Sequence, residues 1–378
     1  MTTTVKTSIK EFIAQRLPEY QELALDIHDH PEVSNYEFYS ADALIAQLEK
    51  EGFTVEKEVA GHRTGFDARY QSGKPGPTLA FLAEYDALPG IGHACGHNLF
   101  GTYSVLSASV LQPYVDELGG EIRVYGTPGE EGGENGSAKG SFVREGFFED
   151  VDAALCVHPA YRYGKTTASL ANDPVDIKFY GRASHAAAAP EKGINALEAL
   201  IQVFNGINGL RLHLPKDVNI HGVITDGGVA ANVVPEYAAG RFYLRAANRA
   251  TLDEVYEKVE NIVKGAALAT GTTYEFGLFQ NSVDDVIVTP SFDELFFAHT
   301  QEVGVPQAEI DVETKASLGS SDVGNVSQVI PTIQPTVSIS DEYIAGHSEE
   351  FKAAARSTKG LNSIAIAAEL LALTALDL

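Results

Sequence analysis

The sequence predicts an α/β protein: an α/β/α sandwich with a mixed central sheet, interrupted by an inserted βαββαβ unit of the ferredoxin-like kind. Three observations predict it. Apolar runs of strand length alternate with helical periodicity through the first half, the order βαββαβ stands by itself in the middle, and helical patterning resumes after it. The expected division is residues 1–172 and 284–378 for the sandwich and 173–283 for the insertion.

From residue 8 to 29, Ile9, Phe12, Ile13, Leu17, Tyr20, Leu23 and Ile27 recur at helical spacing, so one or two helices are expected, with Pro18 as a kink or break. A second helix spans 37–51 and stops at Gly52, which suits a helix end. Buried strands are expected over 78–85, 122–127, 153–157 and 335–339, separated by helical segments such as 104–118 and 141–146. In the middle, strands at 175–180, 218–225, 237–246 and 272–279 and helices at 193–212 and 252–269 complete a unit whose strands can form one antiparallel sheet with both helices on one face. Helices at 292–301 and 358–376 return the chain to the first domain.

Composition narrows the function. The 378 residues are 44% hydrophobic and 21% charged, an ordinary globular balance, and the formal net charge of −25 repels phosphate backbones and anionic headgroups. Neither a nucleic-acid partner nor a membrane partner is expected. No apolar run approaches the roughly 18 residues of a membrane span, and the opening residues lack a secretory h-region, so the expected location is cytoplasmic. Cys95 and Cys156 are too few for a disulfide framework, although a single bridge stays open.

The polar residues fall where the apolar runs end. The first strand delivers Asp86 and then the turn Gly90-Ile-Gly-His93-Ala-Cys95-Gly-His97-Asn98; the others deliver Glu130 and Glu131, His158, and after a short segment His347. In open α/β sheets ligands bind beyond the carboxyl ends of the strands, so these groups can converge. Taken singly, paired glutamates in a Gly-rich loop are ordinary solvated surface and a histidine at a strand end is an ordinary hydrogen-bonded residue. Together, Cys95, His97, Glu131, His158 and His347 offer one thiolate, three imidazoles and a carboxylate, a donor set for Zn, Mn, Co or Ni rather than Mg or Ca. Five donors exceed one tetrahedral site, whereas two divalent ions about 3.5 to 4 Å apart would use them all. Glu130 is then the candidate general base beside Glu131 as ligand, and Asp86 a residue that orients His97. His93 has the weaker claim and is expected to support the turn; Cys156 is expected as a small buried hydrophobe.

Eight segments in order, HDHPEVSNYEF (28–38), AEYDALPGIGHACGHN (83–98), GTPGEEGGENG (126–136), VHP (157–159), GRASHAAAAPEKGINALEAL (181–200), GGVAANVVPEYA (227–238), GSSDVGN (319–325) and AGH (345–347), cover almost the whole chain. Together they resemble the hippurate hydrolase, aminobenzoyl-glutamate hydrolase and auxin-conjugate amidohydrolase branch of the aminoacylase and carboxypeptidase G metallopeptidases, clan MH. The resemblance implies a homodimer whose inserted domain is lid and dimer surface. It implies metal ligands at Cys95, His97, Glu131, His158 and His347, with Cys95 in the bridging position and Glu130 as general base. It further implies that His185 stabilises the oxyanion, that Asn232 contacts substrate and that Arg245 holds a substrate carboxylate. Asn98 and the pair Glu84-Tyr85 depart from the hippurate hydrolase pattern and are closer to aminobenzoyl-glutamate and dipeptide-cleaving members.

The expected function is a two-metal amidohydrolase that cleaves small N-acyl amino acids, or aminobenzoyl-glutamate-like conjugates, to a carboxylic acid and a free amino acid. A metallodipeptidase or carboxypeptidase acting on dipeptides such as β-alanyl dipeptides breaks the same bond and is the alternative. A non-catalytic binder has no use for Glu130 beside Glu131, and a thiol hydrolase built on Cys95 would need a thiolate that nearby glutamates disfavour.

Overall fold

The computed structural model describes residues 3–313 and 319–378. In chain order the elements are α1 (Thr3–Asp29), α2 (Phe38–Lys50), β1 (Thr54–Lys57), β2 (Phe66–Gln71), β3 (Thr78–Ala83), α3 (His97–Leu118), β4 (Glu121–Gly126), α4 (Ala138–Arg144), β5 (Ala153–Leu155) and β6 (His158–Ala160). Then come β7 (Ala171–Tyr180), α5 (Ala196–Leu210), β8 (Asn219–Asp226), β9 (Tyr237–Ala246), α6 (Arg249–Thr270) and β10 (Thr273–Leu278). The chain ends with α7 (Pro290–Ala298), α8 (Thr300–Val303), α9 (Val323–Ser327), β11 (Thr332–Ile333), β12 (Thr336–Ser338), α10 (Glu349–Ala354) and α11 (Thr358–Leu376). Two compact units result, one reaching Ala168 and resuming at Val286 and Asp322, the other holding Ser169–Asp285 and the short stretch that ends at Ser321.

The first unit is built on a six-stranded mixed sheet in the order β1-β2-β4-β3-β5-β11. The β1-β2 and β2-β4 pairs are antiparallel, and β4-β3, β3-β5 and β5-β11 are parallel. Both faces are covered, as a parallel sheet requires. Successive β3 side chains alternate: Leu79, Phe81 and Ala83 join the core formed with α1, α3 and α11, while Ala80 and Leu82 pack with Phe142, Val323 and Val326 from α4 and α9. α11 has the length and apolar composition of a membrane span, but 61% of that window is buried inside this unit. Its apolar character answers to the packing of Ile364, Ala367, Leu371 and their neighbours in the core.

Three expectations need correction. Pro18 neither breaks nor ends the opening helix, which runs unbroken from Thr3 to Asp29. Burial of Ile9, Ile13, Tyr20, Ala24 and Ile27 along its whole length outweighs the roughly 3 kcal/mol that an interior proline costs. The strand expected over 153–157 stops at Leu155, and the one expected over 335–339 shortens to β12, which pairs in parallel with β6 in a separate two-stranded ladder. Pro335 brings no N–H, and the parallel pairing is interrupted there, between Ile333 and Thr336. The antiparallel strands β1 and β2 are not marked in the sequence, because their polar stretches, TVEK and FDARYQ, carry no apolar run.

The second unit has the order βαββαβ, folded as a four-stranded antiparallel sheet β10-β7-β9-β8. Its core takes Val175, Ile177 and Phe179 from β7 and Phe242 and Leu244 from β9. These meet Ala199, Leu200 and Val203 of α5 and Val255, Val259 and Val263 of α6. Asn195 caps α5 by accepting from Leu197 N and Glu198 N, and Asn248 caps α6 by accepting from Thr251 N.

Candidate metal centre

The centre is assembled in the first unit from the segments that follow β3 and β4, the start of β6 and the loop before α10. β3 runs into Glu84 and Asp86, both fully buried, and then into a turn whose Gly96 has φ +78 and lies so close to Pro159 that a Cβ would meet its Cγ at 2.6 Å. That close approach brings Cys95, and His97 at the first position of α3, against His158 at the first position of β6. β4 runs into the loop carrying Glu130 and Glu131. His347, at φ 62, is tied to the turn by its N–H donating to Ala94 O at 3.0 Å.

Donor atoms of Cys95, His97 and His158 all lie within 4.8 Å of one another, and so do those of Cys95, Glu131 and His347. The two triads share one sulfur. Cys95 Sγ is 3.4 Å from His158 Nε2, and His347 Nε2 is 3.4 Å from Glu131 Oε2. Each buried imidazole is oriented through its other nitrogen: His97 Nδ1 lies 3.0 Å from both Asp86 O and Asp86 Oδ1, and His158 Nδ1 lies 2.7 Å from Pro159 O. With Nδ1–H donating outward, each Nε2 points inward and can offer its lone pair to a cation in place of a proton, the arrangement metal-ligating histidines adopt. Among the described residues, buried Glu131 Oε1 has no hydrogen-bond partner, and buried His97 Nε2 makes no hydrogen bond although Glu84 Oε2 lies 3.2 Å away. Orphaned acceptors of this kind, beside a thiol and two further imidazoles, are a cradle for borderline divalent cations.

Electrostatics follow from burial and crowding. Burial, then Glu84, Glu131 and Asp322, push the Glu130 carboxyl well above the usual carboxylate range. Glu131 moves the other way: burial opposes it, but the hydrogen bond from His347 and the charge of His97 hold it low. Burial pushes the Cys95 thiol up, with Glu131 adding to it, so a thiolate there needs a cation. That speaks against a thiol hydrolase. Burial, then His97, lowers His158 to about 4, so its ring is neutral and available as a ligand.

Three groups without an expected role in the site, Glu84, Lys139 and Asp322, complete the surroundings. Glu84 Oε2 lies 3.2 Å from His97 Nε2, and Glu84, His97 and Glu130 form a third cluster of donors within 4.8 Å. Glu84 Oε1 is 2.8 Å from Lys139 Nζ, which also pairs with Asp322 at 2.6 Å, and none of the three residues is exposed beyond 1%. Glu84 and Asp322 stand inside the segments AEYDALPGIGHACGHN and GSSDVGN, whereas nothing in the sequence marks Lys139.

His93 is buried beside His28, ring centroids 5.9 Å apart, and belongs to neither triad. Asn98 donates to Ala24 O and Ala355 O, so that departure ties α1 to the residue after α10. Cys95 and Cys156 are unbridged, and Cys156 is buried with Sγ 3.4 Å from Ile333 O. His185, Asn232 and Arg245 all belong to the second unit. His185 is exposed, and its Nδ1 accepts from Ala187 N at 3.2 Å and Ala188 N at 3.1 Å. Arg245 reaches Ser320 Oγ at 3.3 Å, and its buried Nε has no partner among the described residues.

Residues 174–270 match the peptidase dimerisation domain of the M20 family. The chain is 37% identical to one of the two p-aminobenzoyl-glutamate hydrolase polypeptides of Escherichia coli over 309 residues, which cover 76% of this chain and 63% of that protein. It is 32% identical to human Xaa-Arg dipeptidase over 371 residues, 94% of this chain and 84% of that protein. A Bacillus subtilis protein described as a dinuclear metal binding peptidase from the M20 family shares the fold, with TM-score 0.66 and 21% identity over 96% of this chain and 99% of that one. By these likenesses, over nearly its whole length, the chain belongs to the M20 peptidase family of amide-bond hydrolases.

Proposed function

We propose that this chain is a metal-dependent amidohydrolase that cleaves N-acyl amino acids, or aminobenzoyl-glutamate-like conjugates, to a carboxylic acid and a free amino acid. The observation that carries this reading is the pair of donor triads joined at Cys95. Cys95, His97 and His158 would hold one divalent ion and Cys95, Glu131 and His347 a second, drawn from Zn, Mn, Co or Ni. Bound there, the two ions supply acidification of water and polarisation of the scissile carbonyl.

The chain's own residues do the rest. Glu130 takes the proton of the attacking water and hands it to the leaving nitrogen, and its raised proton affinity suits the second step. Asp86 fixes the His97 ring through Nδ1. His185, whose Nδ1 accepts two backbone N–H groups, carries its proton on Nε2 and donates it to the oxyanion. Asn232, whose carbonyl accepts from Ala186 N beside His185, contacts the substrate. Arg245, which bonds the Ser320 hydroxyl and lies over the Tyr243 ring, holds the substrate's carboxylate.

The chain works as a homodimer through its second unit. The dimerisation-domain match supports this, and so does the outer edge of β8, which lies at the end of the sheet with Val223 and Ile224 exposed. Two unbridged cysteines suit a reducing cytoplasm. A dipeptidase reading draws support from the alignment to human Xaa-Arg dipeptidase along 94% of the chain.

The test is amino acid release, read with ninhydrin, from N-acetyl, N-benzoyl and aminobenzoyl-glutamate substrates and from α- and β-alanyl dipeptides, with Glu130→Gln alongside. Release from an acyl substrate that falls about 10²- to 10⁴-fold in the variant, with metal content unchanged, supports the proposal. Full turnover by the variant would sink it, and release from dipeptides alone would favour the dipeptidase.

A further inference from the structure

The loop at residues 127–137, which carries Glu130 and Glu131, does not stand by its own conformational preference. Gly129, Gly132, Gly133, Asn135 and Ser137 all have positive φ, and two of these are not glycine. Its closure rests on bonds of its own, Gly132 N donating to Gly129 O at 3.2 Å, Gly136 N to Gly133 O at 3.0 Å and Ser137 N to Gly129 O at 2.6 Å, and on bonds from outside the loop. Asp86 Oδ2 accepts Glu131 N–H at 2.9 Å, and Glu37 Oε1 accepts Gly129 N–H at 3.0 Å.

A further hold is Asn35. Both hydrogens of its amide are used on the loop, with Nδ2 donating to Glu134 O at 3.2 Å and to Asn135 O at 2.8 Å. The approach is close enough that a Cβ on Gly129 would meet Asn35 Nδ2 at 3.1 Å. Which way the amide faces is fixed from behind, because His62 Nδ1 lies 2.8 Å from Asn35 Oδ1 and His62 Nε2 lies 3.0 Å from Ser141 Oγ. Asn35, His62 and Ser141 are all buried, so the chain of bonds runs through low dielectric, where a lost donor is costly. Asn35 itself sits at φ 60, a conformation that asparagine tolerates better than most residues.

We infer that Asn35, oriented by His62, is a positioning residue that clamps the 127–137 loop and so sets where Glu130 and Glu131 stand. The inference rests on the roles proposed above for those two glutamates. It reaches residues of the segment HDHPEVSNYEF that the metal chemistry leaves without a part.

Asn35→Gly keeps the positive φ and removes only the amide, and Asn35→Asp keeps the shape but turns an oxygen on two carbonyls. The full chain is compared in wild-type, both variants and Leu371→Ala, a core substitution in α11 that lowers stability without touching the loop. Three readings are taken: amide hydrogen exchange over 127–137, affinity for added Mn or Zn against a competing chelator, and kcat with KM. In Asn35→Gly, exchange should quicken about tenfold, metal should bind about tenfold more weakly, and kcat should fall about tenfold with KM nearly unchanged. Asn35→Asp should do at least as much, and Leu371→Ala should lower Tm without these effects. Exchange and metal affinity in Asn35→Gly equal to wild-type would overturn the inference. If wild-type hydrolysed no amide at all, the functional proposal would fall, while exchange and metal binding would still decide on Asn35.

Discussion

Asp86 joins the two halves of the centre: one carboxylate oxygen lies 3.0 Å from His97 Nδ1, and the other accepts the backbone N–H of Glu131 at 2.9 Å. A single side chain thus orients the imidazole of one triad and the glutamate of the other. Burial works against its ionised form, but the charge and hydrogen bond of His97 hold its carboxyl low. Asp86→Asn replaces an acceptor of three donors, Ser34 Oγ at 3.2 Å being the third, by an amide that must turn its NH₂ toward one side or the other. Affinity for both ions should fall by about 10- to 100-fold, measured by competition with a chelator. A loss confined to one ion would contradict the shared role.

Lys139 is enclosed with Glu84 and Asp322 and has no exposure. Removing one partner of a buried ion pair leaves uncompensated charge and typically costs about 3 to 5 kcal/mol. Lys139→Met should therefore lose about that much in urea unfolding. A variant as stable as wild-type would show that the two carboxylates find another partner.

Burial, with the charge of Arg144, lowers His62 to about 4, against about 6.5 when unfolded. Between those values the unfolded chain binds the extra proton, so this group's contribution is complete above about pH 6.5 and is lost as pH falls toward 4. The shift corresponds to about 3 kcal/mol. Unfolding free energies of wild-type and His62→Gln, followed from pH 7 to pH 4, should converge as the pH drops. Parallel curves would show that His62 does not titrate in this way.

What the sequence made readable, and what it hid, divide by physical cause. The parallel strands β3 and β4 are buried on both faces and therefore show as apolar runs, and the ligands follow because each run ends at one. The edge strand β1, exposed along most of its length, needs no apolar residues and left no signal. Cys95 and His97 stand two apart between glycines and were visible as a motif. Lys139 and Asp322 are separated by 183 positions, and only the folded chain brings an ammonium to that carboxylate. Asn35 was hidden for the same reason, since its amide serves carbonyls about a hundred residues away.

β8 closes the sheet of the second unit with an unpaired outer edge, and Val223 and Ile224 are 62% and 47% exposed. Charge on such an edge prevents strand pairing between copies. By light scattering, the double substitution Val223→Lys and Ile224→Lys should turn the proposed dimer into a monomer, with metal content unaltered. Persistence of the dimer would place the interface elsewhere.

The proposed sharing of Cys95 by two metal sites can be read from the metal content of each chain. Wild-type, His158→Ala, His347→Ala and Cys95→Ala would be purified, loaded with Mn or Zn, desalted and measured by elemental analysis. About two ions are expected for wild-type, about one for each histidine variant and close to none for Cys95→Ala. Two ions retained by Cys95→Ala, or one ion in wild-type, would contradict it.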